Sequence, residues 1–245
     1  MNRMYVVTHK KSDFIPKKRE FIGVGGKKIE NVCIYDNTLF NISDKNPYYC
    51  ELTALYWIWK NEKIDGFVSF EHYRRFFCSK SSVFKFKPIS EKYIEKKLKK
   101  YDIIVSNKFK FKTTIYEYYK KNHIISDLDQ CRSIIANFYP EYLKSFDEVM
   151  KSKQTFMCNM FVMSKKLLDE YCEWLFGIFD KLEKHISLDG RDNYQKRVYG
   201  FLSERLFNVW VNYNKFKYTC CPIFMPTDKP FLIYIKRIAK KVLRK

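Results

Sequence analysis

The chain has 245 residues, of which 46% are hydrophobic and 18% aromatic. A chain of this size and composition buries roughly 70–75% of its unfolded surface, which excludes disorder and removes any need for disulfides or a metal to hold the core. The 47 Lys and Arg against 27 Asp and Glu leave a net charge of +20. That points to an anionic partner such as nucleic acid, lipid headgroups or a sugar nucleotide, although lysines spread along the whole chain also describe a plain solvated surface.

A β-rich run at residues 4–7 ends in Thr8-His9-Lys10. Polar residues at a strand's end lie at the carboxyl edge of an α/β sheet, where ligands bind. His9 can reach a phosphate there, or simply sit on the surface. Gly23, Gly25 and Gly26 mark a tight loop. Residues 31–35 read as a second extended segment, followed by a polar loop over 36–46. Asn46-Pro47 is a helix start, with Asn as the cap and Pro at the first helical position. Leu52, Leu55, Tyr56 and Trp59 recur at helical spacing and predict one helix over 48–61. Glu51 lies off that stripe; favourable placement in the helix dipole is its alternative role. A strand over 67–70 runs into Glu71-His72-Tyr73-Arg74-Arg75. Two adjacent guanidiniums match diphosphate oxygens in bidentate fashion. From spacing alone, surface salt bridges are the simpler account of the pair.

Further along, the pattern predicts a basic helix over 90–100 and a strand over 102–105. Thr114-Ile115-Tyr116-Glu117 has the form of a capping box and opens a short helix to Asn122. Leu128, Cys131, Ile135 and Phe138 mark another helix, stopped by Pro140, and Tyr142, Leu143, Phe146 and Met150 one more. A strand is expected over 156–163, interrupted by Asn159, whose amide must find a partner in ligand or backbone. Ser164 caps a long helix. A polar loop over 189–193 carries Asp189 and Asp192. The helix over 197–210 has Val198, Leu202, Leu206 and Val209 on its core face, and Arg197, Gly200, Glu204 and Asn208 on another. A last strand covers 218–224. Strands alternating with helices predict an α/β fold.

The expected organisation is one domain over 1–226 and a basic amphipathic tail over 227–245. As a helix the tail suits an anionic membrane surface, and it is too short and too charged to span one. The eight cysteines show no paired C-x-x-C spacing and read as reduced residues of a cytoplasmic protein. Residues 1–10 contain no long apolar segment, so no signal peptide is expected.

Several of these pieces recur together: Thr8-His9-Lys10; Asp36-Asn37 with Asn41-Ile42-Ser43 and Lys45-Asn46; Tyr49-Cys50-Glu51-Leu52-Thr53 with Tyr56-Trp57 and Trp59-Lys60-Asn61; His72-Tyr73-Arg74-Arg75; Asn159-Met160-Phe161; Gly200-Phe201 with Glu204-Arg205-Leu206. The set, from about Tyr5 to Trp210, resembles a bacterial family first catalogued as a domain of unknown function. Its members sit in capsular and exopolysaccharide synthesis clusters and are labelled glycosyltransferases. The resemblance implies a GT-A-like fold, a Rossmann-type mixed sheet flanked by helices. It also implies transfer of a sugar, galactose by resemblance, from a UDP-linked donor to a lipid-linked glycan at the inner face of the plasma membrane. Thr8, His9, Lys10, Asn46, Glu51 and His72 are the expected donor contacts. Glu204 is the expected base, with Asp189 and Asp192 as runners-up, and Arg74 and Arg75 are expected to stabilise the leaving diphosphate. Asn159, Arg197 and Asp192 are expected on the acceptor side. Where such folds usually carry an Asp-x-Asp metal motif, this chain has Glu71-His72, so no cofactor is expected; Mn²⁺ or Mg²⁺ on Glu71 and His72 is the alternative. Two other function classes fit the charge: a nucleic-acid-binding protein, for which no RNP, helix-turn-helix or zinc-finger signature is present, and a non-catalytic assembly protein of a polysaccharide complex.

Overall fold

The computed structural model describes residues 1–79 and 87–226. The expected basic tail over 227–245 lies outside the described residues. In chain order the strands are β1 (Arg3–Thr8), β2 (Glu20–Gly23), β3 (Ile34–Tyr35), β4 (Phe67–His72), β5 (Phe76–Phe77), β6 (Ile103–Ser106), β7 (Phe109–Lys110), β8 (Gln154–Thr155), β9 (Phe161–Ser164), β10 (Tyr218–Cys221) and β11 (Ile223–Phe224). The helices are α1 (Asn46–Tyr49), α2 (Leu52–Asn61), α3 (Glu91–Leu98), α4 (Ile115–Asn122), α5 (Ile125–Phe138), α6 (Leu143–Lys151), α7 (Lys165–Leu182) and α8 (Val198–Tyr213).

Seven strands form one sheet in the order β10-β6-β9-β4-β1-β2-β3. β9 runs antiparallel to both neighbours, and the remaining pairs are parallel. This is the mixed α/β sheet that the alternation of elements predicts. Met4, Tyr5, Val6 and Val7 are all buried because β1, an interior strand, is covered on both faces. Tyr5, Val7, Val68, Phe70, Val105 and Phe161 pack with residues of α2, α5, α6, α7 and α8 in the larger core. Met4, Phe67, Ile104 and Val162 face the other way, toward Ile94 of α3. From β1 the chain moves outward to β2 and β3, then returns to place β4 on the other side of β1. That reversal leaves a crevice outside the carboxyl ends of β1 and β4, the usual ligand position in open α/β sheets.

The structure departs from the pattern in ways that shape this crevice. The single helix expected over 48–61 is two, because Cys50 adopts φ = 55° between α1 and α2. Asn46 is not a cap; it is the first residue of α1, and its Nδ2 donates to the Cys50 carbonyl at 2.8 Å and to Thr53 Oγ1 at 3.1 Å, bracing the break. Gly200 of α8 lies against it: a Cβ there would meet Cys50 Sγ at 3.2 Å. The strand expected over 156–163 is reduced to Phe161–Ser164, since Cys158 (φ = 79°) and Asn159 (φ = 45°) are left-handed and end any pleat. The segment expected over 31–35 pairs only at Ile34–Tyr35, and the last strand divides at Pro222 into β10 and β11. Periodicity did not signal β2 and β5, which are too short to show alternation. The capping box at Thr114 and Glu117 and the Ser164 cap form as expected, and Ser90, expected as the first residue of a helix over 90–100, is the N-cap of α3. Among the described residues no helix is long and apolar enough to cross a membrane.

Candidate active site

The crevice is a cleft of about 620 Å³. β1 supplies Thr8, with His9 just beyond it. The broken α1–α2 junction supplies Asn46, Cys50 and Glu51. The exit of β4 supplies His72, Tyr73, Arg74 and Arg75, and the start of α8 supplies Arg197 and Glu204. Nine residues singled out in four separate stretches of sequence therefore meet around one cleft.

The turn after β4 is tight: His72 and Arg75 bridge each other across it. Arg74 stacks over the Tyr73 ring, 4.8 Å from its centroid. Among the described residues no carboxylate pairs with Arg74 or Arg75, so the surface salt bridges that spacing suggested are not formed. The Arg197 Nε donates to Cys50 Sγ at 3.1 Å. With Lys196, these groups give the cleft a positive side. Burial, helped by the charges of Lys10, Arg74 and Arg197, lowers the pKa of His9. Its ring lies edge-on to Tyr73 at 5.2 Å.

Two carboxylates face these cations. The Glu204 Oε1 accepts the Cys158 N–H at 2.8 Å, and Oε2 accepts from Arg205 at 3.0 Å. Burial raises the pKa of Glu204, with Arg205 acting in the opposite direction. Glu51 is held through Asn159, whose Nδ2 donates to Glu51 Oε1 at 2.6 Å and to Ser203 Oγ at 2.8 Å. The left-handed turn at Cys158 and Asn159 thus does two jobs: its backbone binds Glu204 and its side chain binds Glu51. His72 belongs to the same turn, donating Nε2–H to the Cys158 carbonyl at 2.6 Å, and burial lowers its pKa. Burial pushes the thiols of Cys50 and Cys158 up to about 11, so neither is a ready thiolate nucleophile.

Four expectations need correction. Glu71 does not join His72 as a metal ligand, because successive residues of a strand point to opposite faces. Its carboxylate is fully buried, paired with Arg19 Nε at 2.9 Å and accepting the Phe77 N–H at 2.7 Å. Among the described residues no three His, Cys, Asp or Glu side chains are grouped to hold a metal ion. Lys10 does not line the cleft; its ammonium lies 5.6 Å from the Tyr73 ring centroid. Asp192 lies outside the wall and caps a turn, its Oδ1 accepting the Tyr194 and Gln195 N–H groups at 2.8 and 2.7 Å. Asn159 is buried behind Glu51, positioning it without lining the cleft. Sequence reasoning gave no role to Tyr73, Cys50, Cys158, Lys196 or Arg205. Tyr73 lies within the His72-Tyr73-Arg74-Arg75 run and Arg205 directly follows Glu204; only three-dimensional contacts distinguish them.

A mixed α/β sheet with a cleft at its switch point, lined by arginines and two glutamates, is the framework of the site. The chain belongs to the family described as a domain of unknown function (DUF4422), whose profile matches residues 3–215. Its fold is similar to that of the bifunctional glycosyltransferase WbbM in its apo structure, with a TM-score of 0.83 and 31% sequence identity over 92% of this chain. This chain spans 45% of that one's length. No curated protein matches it.

Proposed function

We propose that the chain is a glycosyltransferase that moves a hexose, galactose in our reading, from a UDP-linked donor to a lipid-linked glycan in capsule or exopolysaccharide synthesis. One observation carries this reading: unpaired Arg74 and Arg75 face Glu51 and Glu204 across one cleft at the sheet's switch point. Arg74 and Arg75, assisted by Arg197, take up the charge of the departing diphosphate. Thr8, His9, Asn46 and His72 contact the nucleotide and ribose. As the acceptor oxygen bonds to the anomeric carbon and the carbon–diphosphate bond breaks, Glu204 removes the acceptor hydroxyl proton. Its raised pKa strengthens it as a base. Glu51, held through one oxygen, is the second candidate. The donor set around Glu71 and His72 does not fit a divalent cation, so no step is assigned to one. The protein acts at the cytoplasmic face of the membrane, with the segment over 227–245 as its anionic-lipid contact.

A thermal-shift panel of nucleoside diphosphates and nucleotide sugars tests this directly. UDP and one or more UDP-sugars should raise Tm in a concentration-dependent way. A flat panel, with steeply salt-dependent binding to single-stranded nucleic acid, would replace the reading with a nucleic-acid-binding one.

A further inference from the structure

Beside the cleft opens a smaller cavity of about 130 Å³. The two share one wall, since Glu51, Met157, Arg197 and Glu204 line both. The far wall of the smaller cavity is aromatic, formed by Tyr118, His123, Tyr194 and Phe201. Tyr194 stacks on His123 with ring centroids 5.7 Å apart and planes 19° from parallel, and Phe201 lies 4.0 Å from His123 and 5.0 Å from Tyr194. Half of the Tyr194 surface is exposed.

This platform is built and held. The Asp192 carboxylate fixes the backbone at Tyr194, and Gln195 Nε2 ties the same turn to the Asn122 carbonyl at 3.0 Å. Burial and the Arg205 charge push the His123 pKa down to about 4, so the ring cluster is uncharged at neutral pH. Arg205, 3% exposed, lines the cavity, with its Nη1 donating to the Phe201 carbonyl and to Glu204 while its Nε has no partner. Apolar faces opposite carboxylate and guanidinium edges complement a sugar ring, which has a C–H face and a rim of hydroxyls.

We propose that this side pocket is the acceptor subsite, taking the terminal sugar ring of the acceptor with its C–H face on Tyr194 and Phe201 and its hydroxyls toward Glu51 and Glu204. The assignment rests on the glycosyl-transfer reading and adds where the second substrate lies. An acceptor hydroxyl must reach the base and the donor's anomeric carbon together. The wall common to both cavities carries both glutamates, so a ring entering from the side pocket meets the donor there.

Saturation-transfer NMR with methyl galactosides, pyranoside and furanoside, on the UDP-loaded protein tests the assignment. One of them should receive saturation on its ring protons. Tyr194→Ala should weaken that binding roughly tenfold, about 1.4 kcal/mol, while Tyr194→Trp retains it. Tyr194 does not line the cleft, so both variants should keep the thermal shift produced by UDP, which also reports that they fold. If UDP stabilises the protein but neither galactoside binds, or Tyr194→Ala binds as well as wild type, the subsite is wrong and the transferase reading survives. If UDP-galactose displaces the galactoside where UDP does not, the ring is the donor's own, and the acceptor assignment is overturned. If no nucleotide or nucleotide sugar binds at all, the transferase reading fails and takes the subsite with it.

Discussion

Glu71 and Arg75 lie four residues apart, and their surroundings differ completely. On one side of the sheet Glu71 is sealed from solvent with Arg19, and every oxygen has a partner. On the other, the residues just past β4 turn into the cleft, and the guanidiniums of Arg74 and Arg75 have no carboxylate partner among the described residues. The same charges serve two ends. A buried pair with satisfied hydrogen bonds fixes structure, because breaking it strands a charge. Cations held together without a paired carboxylate are poised for an anion the protein itself does not contain.

Substitutions can break this contrast. Glu204→Gln, in the cleft wall, should lower turnover by roughly 10²–10⁴-fold, measured as steady-state sugar transfer. In the wild type the acid limb of the pH–rate profile should fall above the ordinary glutamate value of about 4.3, since burial raises the pKa and the base works only when deprotonated; the limb should vanish in Glu204→Gln. Arg19→Ala, on the satisfied side, should cost about 3–5 kcal/mol of stability by denaturant titration, leaving Glu71 buried and alone. Arg19→Met with Glu71→Leu should recover much of that loss. Arg74→Ala with Arg75→Ala should slow transfer by roughly 10²–10³-fold at nearly unchanged stability; intact transfer would remove the diphosphate-clamp role. The exposed Arg132–Asp147 pair sharpens the contrast from the other end. Its bidentate geometry, 2.7 Å at both contacts, is as good as that of any buried pair, yet Arg132→Ala should cost only about 0.2–1 kcal/mol because water competes for both partners.

Much of the fold was legible because its signals are local. Ser90, Thr114 and Ser164 cap helices through bonds to residues three positions away, and such bonds need no tertiary context. The breaks were not legible. Nothing in Tyr49-Cys50-Glu51 announces a left-handed Cys50, which is braced by Asn46 and crossed by Gly200 from another helix. Asn159 was recognised as an amide needing a partner, but that partner, Glu51, lies 108 residues away. Asp192, expected to face a substrate, is instead a backbone cap for residues two and three positions on, a local bond of the same kind as the helix caps.

The sequence by itself determined the alternating α/β pattern, the helix boundaries set by caps and the set of polar residues at strand ends. These follow from period, propensity and hydrogen bonds within a few residues of one another. Tertiary structure alone decided which of those polar residues face one another, which are already satisfied, and that two cavities share the Glu51–Glu204 wall. Whether a charge is spent or available depends on groups brought together from distant parts of the chain, and burial then sets the cost of leaving it unpaired.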